Sequence, residues 1–130
     1  MMIADAITVS GDGKVNVLGQ FDNVNALNLP AIHSSLALWI HAAVEPKDYG
    51  TSVDTAVRLL DPDGNLLLEI DQSLPIERPK PDFWRSGINI IIPFGSIIFP
   101  TPGDHAFTFD VSGQELGRAP CRVVQVQPTI

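Results

Sequence analysis

The sequence predicts an all-β domain, built as a two-sheet antiparallel sandwich of seven to eight strands, with a closed barrel as the alternative. Three observations carry this. Apolar residues recur with a period of two along most of the chain. Gly, Pro, Asn and Asp clusters punctuate that pattern at regular intervals. No stretch sustains the 3.6-residue spacing of a helix; the best helical candidate is 23–29, short and closed by Pro30.

The elements follow in order. Residues 3–9 and 15–21 alternate around Ser10-Gly11-Asp12-Gly13, a turn in which glycine takes positive φ at no steric cost, so they predict a first hairpin. Residues 22–33 carry Asn, Pro and small residues and predict a loop. From Ser35 to Val44, one face carries Leu36, Leu38, Ile40, Ala42 and Val44, and the other Ala37, Trp39, His41 and Ala43. One apolar and one mixed face fit a sheet with one side on the core.

Residues 52–60 and 66–70 flank Asp61-Pro62-Asp63-Gly64-Asn65. Pro presets φ and Gly takes the left-handed position, so this is the strongest hairpin signal in the chain. Residues 71–82 hold Pro75, Pro79 and Pro81 and predict a loop, because proline donates nothing to a ladder. A densely apolar strand over 88–94, a turn over 99–104 and strands over 105–111 and 119–126 complete one domain of 130 residues. A chain of this length suits one domain and one core.

Composition narrows the function. Eight Lys plus Arg against fifteen Asp plus Glu give a formal charge of -7. Such a field repels nucleic acid and anionic lipid, and no basic run offsets it, so neither partner is expected. The single Cys121 allows no intramolecular disulfide and fits a reducing, cytoplasmic setting. The N-terminal residues lack the basic and apolar regions of a signal peptide.

Two stretches carry a resemblance. The first runs from Ile3 through Gly11-Asp12-Gly13-Lys14 to Phe21. The second is Phe99-Pro100-Thr101-Pro102-Gly103-Asp104-His105-Ala106-Phe107, with Gly113 to Pro120 and Val123-Val124. Together they resemble a family of small bacterial proteins with no assigned function and an immunoglobulin-like sandwich character. The resemblance implies the fold and carries no catalytic residue. His105 stands where such strands often carry Tyr.

The chemistry-bearing residues do not assemble into a motif. His33, His41, His105 and Cys121 match no metal spacing, so no metal or other cofactor is expected. Cys121 with a distant histidine could form a thiol nucleophile, but a small buried cysteine is the commoner state. Asp61, Asp63, Asn65 and Glu69 echo the start of a calcium loop, yet Pro62 and the strand context fit a hairpin better.

Two segments point to an interaction surface. Residues 75–85 gather Arg78, Lys80 and Arg85 with Phe83 and Trp84 among three prolines. Such residues anchor interfaces, although loop aromatics also plug sandwich ends. In the second, Ile90-Ile91-Ile92 and Ile97-Ile98-Phe99 flank Pro93-Phe94-Gly95-Ser96. Strict alternation exposes half of these, giving either two covered faces or an apolar patch. The expected surface comprises Trp39, His41, Arg78, Phe83, Trp84, Arg85, Phe94, Ile97, Ile98 and Phe99. The favoured expectation is a non-enzymatic protein-interaction or structural module that binds a protein partner or itself. A small-ligand or carbohydrate-binding domain using Trp39 and Trp84 is the alternative, and a hydrolase with an unfamiliar site ranks third.

Overall fold

The computed structural model describes residues 1–78 and 87–127. Nine strands run in order: β1 (Met2–Val9), β2 (Val15–Gln20), β3 (Asn23–Ala26), β4 (Ala31–Ala43), β5 (Ser52–Leu60), β6 (Leu66–Pro75), β7 (Gly87–Phe99), β8 (Gly103–Val111) and β9 (Gln114–Gln125). One 3₁₀ turn, Pro46–Asp48, separates β4 from β5. The strands form two sheets, β2-β1-β4-β7 and β3-β9-β8-β5-β6. They stay separate, so the barrel alternative is set aside.

Alternation decides which side chains meet between the sheets. Leu36, Leu38 and Ile40 of β4 and Ile97 and Phe99 of β7 point inward from the first sheet. Val57 and Leu59 of β5, Phe107 and Phe109 of β8, and Ala119, Cys121 and Val123 of β9 meet them from the second. Phe99, Phe107, Leu38 and Leu59 are each at most 1% exposed. Phe94 reaches the same layer, its ring centroid 5.5 Å from that of Phe107.

Both predicted tight turns form. Asp61 Oδ1 accepts the N–H groups of Asp63 (2.9 Å) and Asn65 (2.7 Å), and Gly64 takes φ +83°. In the first turn the Ser10 hydroxyl donates to Asp12, and Gly13 takes φ +84°.

The described residues form nine strands rather than the expected seven to eight, the last beginning at Gln114 rather than Ala119, and three further local expectations are corrected. Residues 23–26 form neither loop nor helix; they make β3, parallel to β9 with Val24 opposite Val123. Val24 is buried, and burial outweighs the weak local pattern. The sixth strand runs on to Pro75, because β5 is long enough to pair it from Leu60 to Ser52. Proline fits there because it ends an edge strand. The strand over 88–94 also continues to Phe99 through Pro93 and Gly95, where its register against β4 shifts between His33 and Ala37.

Phe99→Ala is expected to cost about 3–5 kcal/mol, and Ile98→Ala, one residue away and 57% exposed, less than ~0.5 kcal/mol. Urea unfolding followed by circular dichroism measures both, and similar losses would contradict the inside–outside alternation.

Candidate functional site

The two sheets carry different outward faces. The strands of the five-stranded sheet bear Asp54, Arg58, Glu69, Asp71, Asp104, Asp110, Glu115, Arg118 and Arg122. Those of the four-stranded sheet bear one charged residue, Asp5.

On the charged face, Arg58 ties three strands together. Its Nε donates to Glu69 Oε2 at 3.0 Å on β6, and its Nη1 donates to Asp110 on β8. Ala56, the small residue two positions before it on β5, lies opposite both Asp71 and Asp110. This leaves a recess of about 430 Å³ bordered by Asp54, Arg58, Asp71 and Asp110. The Arg58 guanidinium, and a hydrogen bond from Asp71, hold Glu69 below the usual carboxylate range. Asp71 is pushed upward, first by its hydrogen bond to Glu69 and then by desolvation. Arg122 similarly clamps Asp104 at 2.7 Å and lowers its pKa.

The uncharged face centres on β4 and β7. Ala4, Ile7 and Ala37 are buried there although they lie outside the main core, covered by Trp39, Val15 and Ile91. Trp39 Nε1 donates to Asn89 Oδ1 at 3.0 Å, and His41 Nδ1 lies 2.8 Å from the same oxygen. An indole nitrogen only donates, so that atom is the amide oxygen and His41 carries its proton on Nδ1. The imidazole lies over Gly87, where a Cβ would come within 3.0 Å of the ring and 2.6 Å of the Ala42 carbonyl oxygen. Further along, Ile32 and Ile98 are directly paired and 65% and 57% exposed.

The predicted surface residues separate. Trp39 is half-buried and His41 and Ile98 are exposed on this one face. Ile97 and Phe99 are core residues, and Phe94 is half-buried against the core, so none of the three belongs to a surface patch. The odd positions beyond Gly95 face inward, which explains the correction for Ile97 and Phe99. Arg78 is exposed beside a separate recess with Tyr49 and Ile76. Phe83, Trp84 and Arg85 lie outside the described residues. Asn89, Ile91 and Ile32 were missed, though their signal was readable: residues 23–44 and 86–103 contain no Asp, Glu, Lys or Arg.

The candidate chemistry meets definite obstacles. His33 Nε2 pairs with Asp5 Oδ1 at 3.0 Å and its ring stacks on Phe21 at 4.5 Å. The nearby Ser35 hydroxyl donates to the Asp5 main-chain oxygen at 2.7 Å, so its proton is not held by the imidazole. The ladder places His105 directly opposite Cys121, a pairing the sequence could not show. Both are at most 1% exposed, and burial, reinforced by the Asp22 charge, pushes the thiol up to about 12. A thiol that stays protonated is a poor nucleophile. Among the described residues no cluster of His, Cys, Asp and Glu could hold a metal ion; Asp61 is consumed by its turn and Glu69 by Arg58. No described helix is long and apolar enough to cross a membrane.

Two outcomes are expected. Cys121 should resist alkylation in the native protein and react fully in denaturant; rapid native modification, followed by mass spectrometry, would show the thiol to be open. Asp71→Asn should raise the melting temperature at pH 7 and leave it unchanged near pH 3. Because the Asp71 pKa is raised above its ordinary 3.8, its contribution is favourable at low pH and is lost as pH rises through the folded value. Glu69 runs the other way: its lowered pKa gives stability above its ordinary 4.5 that is lost on acidification.

No curated protein and no solved structure matches the chain. Residues 1–124 match the profile of one family, so the chain belongs to a family of unknown function, DUF6941.

Proposed function

We propose that this chain is a non-enzymatic protein-interaction module that docks through the outward face of the β2-β1-β4-β7 sheet. The distribution of charge carries the reading: nine ionisable residues stand on the strands of one sheet and one on those of the other, counting Asp, Glu, Lys and Arg. Desolvating a charged side chain is costly unless it is paired, so a face without charges is the one that excludes water at least cost. Interface centres are correspondingly depleted in charge and rich in aromatic residues. Trp39 supplies such an anchor, already held by Asn89, so little side-chain entropy remains to be lost on docking. Ile32 and Ile98 add exposed apolar area.

The two-sheet arrangement supports an immunoglobulin-like sandwich scaffold. The single buried thiol supports a reducing, cytoplasmic setting. Binding rather than catalysis is favoured because, among the described residues, the nucleophiles beside the histidines are disabled: the Cys121 thiol opposite His105 stays protonated, and the Ser35 hydroxyl near His33 donates to the Asp5 main-chain oxygen.

Photo-reactive residues placed singly at Ile32, Ile98 and Leu66 test this in the native cells. Leu66 is comparably exposed but lies on the five-stranded sheet. Adducts are expected from Ile32 and Ile98 and none from Leu66. Adducts from Leu66 alone, equal adducts from all three, or no adduct would overturn the proposal.

A further inference from the structure

Resting on that reading, we infer that the occupant of the uncharged face is a second copy of this chain, packed face to face about a two-fold axis. In a two-fold interface the same patch serves both partners, so residues near the axis approach their own copies. On a chain of net charge -7, most surfaces set like charges against each other when so paired. The β2-β1-β4-β7 face escapes this penalty. Its only strand charge, Asp5, is held by His33. An unrelated partner would gain orientation from complementary charges, and among the described residues the strands of this sheet offer only Asp5, already paired with His33.

The size of the face agrees. Four strands at about 4.8 Å spacing, two of them thirteen residues long, give a planar footprint of roughly 600 Å². Stable interfaces bury ~800 Å² of accessible surface per partner, and side-chain relief adds to a planar footprint. The apolar residues also spread across the whole face. Val9 lies opposite Val15 and Val17 opposite Ile7 on β1 and β2, and Ile32 lies opposite Ile98 on β4 and β7. Val9, Val17, Ile32 and Ile98 are all more than a third exposed.

Face packing is favoured over edge pairing. The free edge of β7 is interrupted by Pro93, which has no N–H to donate, and by Gly95 at φ +71°. Neither feature obstructs its outward face.

Sedimentation velocity of the purified full chain, from micromolar to sub-millimolar concentration, tests the inference. The expected result is a concentration-dependent species of twice the 14.1 kDa chain mass. Ile32→Glu with Ile98→Glu should weaken it at least ~10-fold by adding unpaired charges that would have to be desolvated on the apolar face. Leu66→Glu should leave it unchanged. Added salt should strengthen association, because it screens the repulsion between two acidic chains and there is no interfacial ion pair to weaken. A strict monomer, a dimer broken only by Leu66→Glu, or one dissolved by salt would overturn the inference. A strict monomer accompanied by Ile98 adducts to a different protein would sink the second copy and leave the docking face standing.

Discussion

The dry layer between the two sheets is the constraint on which the rest depends. One free cysteine is present, so no internal cross-link holds the chain. Stability therefore comes from burial, with Phe99 and Phe107 as the largest fully buried side chains. Buried polar residues are few among the described residues: Thr55, whose hydroxyl donates to the Gln72 carbonyl oxygen at 2.9 Å, Thr108 and His105. His105 is 1% exposed, donates from Nδ1 to the Gly103 carbonyl oxygen, and leaves Nε2 without a partner among the described residues. Its ring meets Phe99 edge-on at 5.1 Å, so the imidazole serves there mainly as an aromatic filler. That also accounts for Cys121. Both groups capable of covalent chemistry sit side by side on β8 and β9, in the part of the molecule least able to stabilise the charge such chemistry needs.

Much of this architecture was legible because a period-two pattern is a local property. Strands 4, 5 and 8 and the Asp61–Asn65 turn follow from residues within ten positions of each other. What was not legible depends on partners far away in sequence. β3 is a strand because β9, about a hundred residues later, offers it a parallel edge and a pocket for Val24. Pro75 ends a strand because β5 is long. The six isoleucines of β7 could not be sorted by alternation alone, since the irregularity at Pro93–Gly95 resets which side faces inward. That reset moved Ile97 and Phe99 from the expected surface into the core and left Ile98 outside.

The site follows from the same logic applied to charge. Trp39 and His41 stand out in the sequence by their chemistry, but nothing local to them encodes that β1, β2, β4 and β7 share a sheet, and so that charge-free stretches combine into one face. The topology makes that union: the strand order places residues 31–43 beside residues 87–99. On the opposite sheet each cation is answered by a carboxylate, Arg58 by Glu69 and Asp110, Arg118 by Glu115, and Arg122 by Asp104. Exposed pairs of this kind add little stability, so their number is not explained by the fold's energetics. They do keep that face hydrated and unfavourable to bury. Of these two sheet faces, the β2-β1-β4-β7 face is the one whose described strand residues can lose water with fewer charges to desolvate. In the proposed pairing, attraction between two such faces rests on Trp39 and the isoleucines rather than on any polar constellation.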